Sequence, residues 1–318
     1  MNLPPAAKAD GGVVRVTAAA KVNLYLHVTG RRADGYHTLD SLVAFCGIGD
    51  AIEVHAVPPA GGQKTADLSL SLEGPFAAGL PTGGDNLVLR AAAALRAALG
   101  TESGARIVLH KRLPPASGIG GGSADAAATL RALMRLWNAR PAEATLDALA
   151  LKLGADVPVC LKGRAAFMGG IGEELSPAPA LPPASIVLAN PGVPVATPEV
   201  FRRRAGSFSA PARFSETPRD AAHLAELLKA RRNDLDAPAR ALCPAIGEVV
   251  DALERCPGVL LARMSGSGAT CFGLFADVGQ ATEAAFALMR AHPRWWVKAG
   301  SLESDANRLE NRSGAAIH

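Results

Sequence analysis

Cysteine is scarce in this sequence: there are five in 318 residues, none in a CxxC pair or at the spacing of a zinc site. An odd number of separated cysteines argues against a closed disulfide framework. Long apolar runs are also missing, since none approaches the roughly 18 residues that span a bilayer, and the start MNLPPAAKADGG lacks the apolar segment of a signal peptide. These absences predict a cytoplasmic protein with reduced thiols, neither secreted nor embedded in a membrane.

Strongly basic segments are absent as well. The chain has 33 basic and 29 acidic residues, a net charge of +4, and no run of five lysines or arginines. This balance gives little support for nucleic-acid binding and suits an anionic small molecule equally well. With 49% hydrophobic and 19% charged residues, the composition excludes a disordered or collagen-like chain. We therefore expect a small-molecule substrate, with neither a nucleic acid nor a membrane as partner.

The chain does contain a mixture of short strands and helices. Its length favours two moderate domains, and the density of glycine and proline rises near residues 169–183. We predict an N-terminal domain over 12–168 and a C-terminal domain over 169–303, with loosely held termini at 1–11 and 304–318. The mixture indicates an α+β fold rather than a regular alternation of parallel βαβ units.

Local patterns place the elements. Alternation and β-branched content predict strands, separated by turn signals such as ADGYH and PPAGGQ, at VVRVTA, KVNLYLHVTG, LVAFC, AIEVHAV, DLSLSL, ARIVLHKRL, AAFMG, SIVLAN, VLLARM, CFGLFA and VKAGSL. The first helix, DNLVLRAAAALRAALG, has Asp85 or Asn86 as N-cap and Gly100 past its end. Further helices are expected near 124–136, 145–153, 197–205, 219–230, 237–255 and 278–291.

A glycine-rich stretch, LPPASGIGGGSADAAATLRALMRL, enters a helix directly. Successive glycines can aim several backbone N–H groups into one concavity, and a helix N-terminus carries a partial positive charge. We expect Ser123 to be the N-cap and Asp125 to lie in the first turn. The stretch therefore predicts a phosphate site.

The alternative for this stretch is a flexible linker, which the strand before it and the uninterrupted helix after it disfavour. It is not a Walker loop, because no GxxxxGK[ST] occurs in the chain. The spacing is also wrong for a dinucleotide fingerprint, and the preceding strands read as antiparallel.

Three segments in order resemble the motifs of the GHMP kinase superfamily, which comprises small-molecule kinases. They are AAAKVNLYLHVTGRRADGYHTLDSLV near the start, PxxxGIGGGSADAA in the middle and RMSGSGATCFGLF near the end; GADVPVC and NPGVPVATPEVF add to the likeness, which runs from about residue 14 to 303. The resemblance implies a two-domain α+β fold, with an N-terminal domain like domain 2 of ribosomal protein S5. It also implies an active site in the cleft between the domains, and ATP and Mg²⁺ as cofactors.

The resemblance also assigns the reacting groups. It places the catalytic aspartate at Asp156, in LGADVPV, as a general base for the substrate hydroxyl. Lys21 would keep that carboxylate ionised and stabilise the transferring phosphate. Asn23 would share the strand face of Lys21, because side chains alternate with a period of two, and contact the substrate. Without the resemblance, Asp156 reads as a turn residue or helix cap, on a tight turn between a helix and an apolar strand. Lys21 then reads as a snorkelling or edge residue.

For ATP, the resemblance implies that the loop from Pro114 to Ala124 wraps the phosphates, with Lys111 and Asn86 near the adenosine. Ser123 is in addition the candidate Mg²⁺ ligand, because this ion prefers oxygen. The loop residues are Pro114, Pro115, Ala116, Ser117, Gly118, Ile119, Gly120, Gly121, Gly122, Ser123 and Ala124. Ala116 and Ser117 stand where family members often have glycine early in the loop, and Ala19 stands where many have proline. We still expect ATP to bind.

The DGYH segment resembles a branch of the family that phosphorylates a cytidine-bearing alcohol. The resemblance implies that Tyr36 stacks on cytosine, that His37 hydrogen-bonds its edge and that Phe201 is the opposite wall. Thr197 is a further candidate for substrate contact. Taken alone, Tyr36 and His37 read as an exposed turn pair and Phe201 as a core residue.

The remaining candidate residues and the alternatives stay open at this stage. Gly266, Ser267 and Gly268 either close the site from the second domain or form a simple turn between strands. Two alternative functions stay open: a kinase of the same superfamily for another alcohol, such as homoserine or mevalonate, and a catalytically silent nucleotide- or metabolite-binding regulator on the same fold. We expect a monomer or a weak homodimer.

Overall fold

The structure, a computed structural model, describes residues 12–58 and 65–309. The predicted turn PPAGGQ lies outside these residues apart from its first proline. The strands are β1 (Val13–Arg31), β2 (His37–Val57), β3 (Leu68–Glu73), β4 (Gly104–His110), β5 (Ala166–Gly169), β6 (Glu174–Pro177), β7 (Ala184–Asn190), β8 (Val259–Met264), β9 (Cys271–Phe275) and β10 (Trp296–Glu303). The helices are α1 (Leu87–Leu99), α2 (Gly121–Leu136), α3 (Glu143–Leu153), α4 (Val157–Lys162), α5 (Thr197–Arg203), α6 (Ala221–Lys229), α7 (Asp236–Leu242), α8 (Ala245–Glu254) and α9 (Val278–Ala291).

Strands β1 and β2 form a long antiparallel pair where the sequence predicts four shorter strands. The pairing shifts register between Ala19 and Lys21, between Asn23 and Tyr25, and again near the hairpin end. Such bulges bend a strand without ending it, so the weakly patterned segments inside each strand remain paired. The turn between the strands contains Gly35, whose φ of +89° favours glycine.

All ten strands of the described part of the chain join one sheet. Its order is β3-β4-β2-β10-β7-β9-β8, with β1 and β5 also pairing β2, and β6 pairing β5. Most neighbours are antiparallel, but β3 and β4 are parallel and α1 connects them. The α+β mixture predicted from the sequence therefore contains one parallel βαβ unit.

Helix α2 is the most buried helix and packs on β1 and β2. Small side chains cover much of its surface, which lets it lie close to the sheet, and the residues from Ala124 to Met134 are all buried. Arg131 lies on this buried helix and donates to the carbonyl oxygen of Cys160 at 2.8 Å. The glycine stretch is thereby attached to a helix with little freedom to move.

Two sequence predictions about secondary structure are wrong. The apolar strand expected after Asp156 is helix α4, in whose first turn Pro158 is tolerated because it needs no N–H partner there. The single helix expected over 237–255 is two helices, α7 and α8, which meet at Cys243 and Pro244. Proline cannot continue the preceding helix, so the chain turns there.

The C-terminal segment is anchored as far as Leu309, which differs from the loosely held tail predicted from residue 304. Ala306 is 6% exposed, and its N–H donates to the carbonyl oxygen of Gly163 at 2.8 Å. The predicted boundary at 168/169 falls within β5, and β10 pairs with both β2 and β7. No helix in the described ranges has the length and apolar content needed to cross a bilayer.

Candidate active site

The glycine stretch forms the loop between β4 and α2. Gly118 and Gly120 have φ of +77° and +63°, which a side chain would strain. The N-cap of α2 is Gly120 in the left-handed conformation, so the prediction of Ser123 as N-cap is wrong. Ser123 lies instead in the first turn, and Asp125 lies beyond that turn and is buried. The free N–H groups of the first turn remain available for an anion.

The third motif, Ser265 to Thr270, packs directly against this loop. A Cβ placed on Gly118 would lie 2.6 Å from the carbonyl oxygen of Ser265 and 2.7 Å from that of Gly268. Thr270 N donates to Ser117 O at 3.1 Å, and Ser265 Oγ donates to Gly118 O at 3.2 Å. The two glycine-rich segments therefore support each other through backbone contacts that only glycine permits.

Sequence reasoning missed Asn233, which holds the third motif in place. Its Nδ2 donates to the carbonyl oxygens of Met264 at 2.9 Å and Gly266 at 2.8 Å. The residue is 6% exposed and lies in a loop between α6 and α7. No motif surrounds it, so only the three-dimensional contact identifies its role.

Lys21 and Asp156 form an ion pair beside the end of the loop. Lys21 Nζ lies 2.9 Å from Asp156 Oδ2 and donates to Asn23 Oδ1 at 3.0 Å. A Cβ on Gly120 would lie 3.0 Å from Lys21 Cε and 3.8 Å from Asp156 Oδ2. The pair thus lies at the N-terminus of α2, where a bound phosphate would meet it.

The structure confirms that Asn23 shares the strand face of Lys21. Two more hydrogen bonds hold Asn23. Its side-chain Nδ2 donates to Ser41 Oγ at 2.8 Å, and its backbone N–H donates to Ser265 Oγ at 3.1 Å. Lys21 is also held by its backbone, whose N–H donates to Ile119 O at 3.0 Å. These contacts join the first, second and third motifs at one point.

A pocket opens between the N-terminus of α1 and the glycine loop. Asn86 and Lys111 both line it, together with Leu80, Pro81, Asp85, Leu87, Val88, Leu109, Pro114, Pro115, Ala116, Gly121, Gly122 and Asp125. Asn86, one of the two residues predicted as N-cap, caps α1, because its Oδ1 accepts from Val88 N at 2.9 Å. Its Nδ2 donates to Pro81 O at 2.7 Å. The pocket has an apolar wall beside the phosphate loop, as a nucleoside requires.

Lys111 reaches this pocket from a buried charge cluster that the sequence does not reveal. Its ammonium group lies 2.8 Å from Asp125 Oδ2 and also pairs with Asp50. Burial alone would lower the pKa of Lys111, but the carboxylates of Asp125 and Asp50 outweigh it and the pKa is raised. Asp50 Oδ1 also accepts from Leu113 N at 2.8 Å. The cluster therefore ties the start of the phosphate loop to α2.

The predicted cytidine residues lie together around His37. The rings of His37 and Phe201 stack with their centroids 5.3 Å apart, and Tyr36 is 62% exposed beside them. Burial lowers the pKa of His37, and the positive charges of Arg31 and Arg204 lower it further. The shift favours the neutral imidazole, in which one nitrogen donates and the other accepts.

Thr197 links this aromatic group to the third motif. Its Oγ1 lies 2.7 Å from Ser267 Oγ, and Phe201 follows one turn later on the same helix, α5. Sequence reasoning missed Phe208, whose ring centroid lies 6.4 Å from that of His37. Its position in a loop without periodicity gives no local signal.

The side chains suit a magnesium ion carried on nucleotide phosphates rather than one held by a protein cage. Within the described ranges, no three His, Cys, Asp or Glu side chains are grouped as metal ligands. Ser123 Oγ, in the first turn of α2, has no hydrogen-bond partner among those residues. Mg²⁺ in kinases keeps several waters and binds the substrate phosphates, so one hydroxyl ligand fits this pattern.

Comparison with known proteins agrees with this geometry. The family model described as GHMP kinases N terminal domain matches residues 86–164, and the one described as GHMP kinases C terminal matches residues 214–294. The 4-diphosphocytidyl-2-C-methyl-D-erythritol kinase of Paramagnetospirillum magneticum is 55% identical over 289 residues, covering 91% of this chain and 98% of the relative. The chain belongs to the GHMP kinase family. It is a kinase, and the predicted fold class and family are confirmed.

Further matches within the GHMP kinase family differ in how similar their sequences are to this chain. The kinase of the same name from Rhodospirillum rubrum is 54% identical, covering 92% of this chain and 93% of the relative. A crystal structure of 4-(cytidine 5'-diphospho)-2C-methyl-D-erythritol kinase matches with a TM-score of 0.73 and 39% identity, over 91% of this chain and 99% of that one. A homoserine kinase from Cytophaga hutchinsonii has a TM-score of 0.70 but only 18% identity, which shows a shared fold alone.

Proposed function

We propose that this chain transfers the γ-phosphoryl group of ATP to the 2-hydroxyl of 4-diphosphocytidyl-2-C-methyl-D-erythritol, in the non-mevalonate route to isoprenoid precursors. The observation that carries the proposal is the Lys21–Asp156 pair, 2.9 Å apart and set against Gly120 at the phosphate loop. The relatives that bear this activity in their names are 54–55% identical over nearly their whole length. The aromatic group at His37 supports a cytidine-bearing substrate.

In the proposed reaction, Asp156 Oδ2 accepts the proton of the 2-hydroxyl while the hydroxyl oxygen forms a bond to the γ-phosphorus. The bond from that phosphorus to the β,γ-bridging oxygen breaks, and ADP leaves. Lys21 stabilises the carboxylate before the transfer and the charge on the moving phosphoryl group during it. The side chain of Lys21 is only 5% exposed, so its charge acts with little screening by water.

The backbone supplies the remaining positioning. The N–H groups of the first turn of α2 and of the glycine loop point toward the phosphates of ATP. Asn86 and Lys111 lie at the proposed adenosine pocket, and the magnesium ion on the ATP phosphates would be held by Ser123 and neutralise phosphate charge. Asn23, hydrogen-bonded to Lys21, and Thr197, hydrogen-bonded to Ser267, would contact the alcohol.

At the cytidine end, Tyr36 and Phe201 provide the stacking walls, and His37 hydrogen-bonds the edge of the base. His37 itself stacks on Phe201, with their ring centroids 5.3 Å apart. Base binding therefore requires this stacked pair to open or to accept the base at its exposed side. We also expect the protein to act in the cytoplasm as a monomer or weak homodimer.

A coupled assay of ADP release tests the proposed function. The full chain with ATP and Mg²⁺ is given 4-diphosphocytidyl-2-C-methyl-D-erythritol, homoserine or mevalonate at equal concentration, with Asp156→Ala as control. We expect turnover of the cytidine-bearing alcohol alone. Turnover of another alcohol would keep the kinase and refute the role of Tyr36 and His37. Tight binding of the cytidine compound without ADP release would indicate a regulator.

A further inference from the structure

Most arginines near the aromatic group are paired with carboxylates. Arg32 lies 2.9 Å from Asp34, and Arg232 lies 2.7 Å from Asp234. On α5, Arg203 lies 3.0 Å from Glu199. Asp34 and Asp234 each offset the charge of one guanidinium group, and Glu199 offsets one of the two charges of Arg203 and Arg202, which share it. These arginines therefore add less net positive potential around His37 than the same arginines would without carboxylates.

Arg31 and Arg204 differ from these neighbours. Within residues 12–58 and 65–309, neither forms an ion pair with a carboxylate. Arg31 Nε donates to Gly35 O at 3.2 Å, and Arg204 donates to Gly206 O at 2.9 Å and to Ser207 O. Carbonyl oxygens orient a guanidinium group but leave its unit charge in place.

Both unpaired charges lie beside His37. Arg31 is the cross-strand partner of His37, where β1 and β2 meet the turn. Arg204 Cζ lies 4.7 Å from the centroid of the Phe208 ring, and that ring packs edge-on against His37. The lowered pKa of His37 agrees, because both guanidinium groups contribute to it after burial. Arg31 and Arg204, which are 173 positions apart in the sequence, thus both bring positive charge to the imidazole of His37.

We infer that Arg31 and Arg204 bind the diphosphate that joins cytidine to the alcohol. A guanidinium group offers paired N–H donors that match phosphate oxygens, and a diphosphate supplies the negative charge that the two arginines lack. Phe208 keeps the Arg204 group beside the base-binding rings, since a cation is attracted to the ring face. This inference rests on the proposed function and adds two substrate-binding residues that the motifs do not assign.

Calorimetric titration of the full chain with cytidine and with CDP tests the inference. A saturating non-hydrolysable ATP analogue keeps CDP out of the ATP pocket. We expect Arg204→Gln and Arg31→Gln each to weaken CDP binding by about tenfold, as for loss of a hydrogen bond to a charged group, with cytidine affinity unchanged. Arg203→Gln, the matched control on α5, removes a paired arginine and should leave both affinities unchanged.

The outcomes distinguish failure of the diphosphate-binding inference from failure of the proposed function. Equal weakening of cytidine and CDP would mean that the arginines only shape the base pocket, and unchanged CDP binding would mean that they are solvated surface groups; either result overturns the inference. Arg204→Lys, which keeps the charge, should retain part of the CDP preference. If the wild-type chain binds neither cytidine nor CDP, both the inference and the proposed function fail. Failure in the variants alone contradicts only the inference.

Discussion

Lys21, at the phosphate end of the proposed site, has 5% of its side chain exposed, whereas Tyr36, at the cytidine end, is 62% exposed. Around Lys21, hydrogen bonds tie its own backbone to the glycine loop and hold Asn23 and that loop against the third motif. Around Tyr36, the contacts are ring stacks and a hairpin turn. The phosphate end is therefore preorganised for charge that develops in the reaction, while the cytidine end is free to adjust to its base.

This contrast separates chemistry from recognition. A residue that must stabilise a transition state gains from a rigid, water-poor setting. A residue that selects a substrate by stacking needs only an accessible face. Changes at the phosphate end should therefore affect turnover or folding, and changes at the cytidine end should affect mainly substrate affinity.

The largest effect is expected from Asp156→Asn, which removes the proposed base but keeps its shape. We expect kcat to fall by about 10²- to 10⁴-fold, as is typical for loss of a general base, with the KM values little changed. Steady-state ADP release measures both, and circular dichroism checks the fold. A variant that keeps kcat within about threefold of the wild type would remove Asp156 from the role of base.

Next in size is Lys111→Met, which leaves the buried carboxylates of Asp50 and Asp125 without their cation. Breaking one partner from a buried ion pair typically costs about 3–5 kcal/mol in the free energy of unfolding. Urea denaturation measures this loss. Arg15→Met is the control: it breaks the 2.6 Å pair with Glu53, whose arginine is 65% exposed, and should cost under about 1 kcal/mol. Equal losses in the two variants would contradict the structural importance of the buried cluster.

Gly118→Ala should destabilise the protein less, by about 1–3 kcal/mol, because the new Cβ meets two carbonyl oxygens and the residue has a positive φ. Gly122, in the first turn of α2, is the control: a Cβ there would have no neighbour within 4 Å, so Gly122→Ala should not lower the melting temperature. Thermal unfolding of both variants compares them. If Gly118→Ala is as stable as Gly122→Ala, the third motif does not brace the loop as described.

At the cytidine end, Tyr36→Ala should raise KM for the cytidine-bearing substrate by about tenfold, as for loss of one stacking contact to a base. Because Tyr36 is mostly exposed, the free energy of unfolding should change by less than about 0.5 kcal/mol. Steady-state kinetics with the substrate varied and urea denaturation give the two values. A loss of stability without a change in KM would reverse the contrast between the two ends.

The smallest effect concerns pH. Because the pKa of His37 is lowered in the folded state, the unfolded state binds more protons just below the ordinary value of 6.5, so stability is lost as pH falls through this window. His37→Gln should remove this part of the pH dependence. The check is the difference in the free energy of unfolding between wild type and variant, measured from about pH 5 to pH 8. We expect the wild type to lose stability relative to the variant as pH falls below about 6.5, so a wild type that gains relative stability as pH falls would have the wrong sign.

Patterns along the chain predicted the parts of the site that depend on local geometry. The period of two placed Asn23 on the face of Lys21. The polar residues before an apolar helical pattern narrowed the cap of α1 to Asp85 or Asn86, of which Asn86 is the cap. The glycine stretch was also recognisable as a loop that leads into a helix. These features depend on neighbours a few residues away, which the sequence shows directly.

Features that depend on distant segments were not predictable. Gly120, rather than Ser123, caps α2, because contact with Lys21 favours a residue without a side chain there. Lys111 meets Asp50 across 61 residues of sequence, and Asn233 reaches the third motif from another loop. The order of residues gives no signal for such pairs, since tertiary packing alone brings them together.

The most direct test of the whole account is a crystal structure of the chain with a non-hydrolysable ATP analogue and 4-diphosphocytidyl-2-C-methyl-D-erythritol. We expect the 2-hydroxyl oxygen to lie within about 2.6–3.2 Å of an Asp156 carboxylate oxygen, as a general base requires. We also expect the cytosine to lie between Tyr36 and Phe201. A 2-hydroxyl that faces away from Asp156, or a cytosine bound elsewhere, would contradict it.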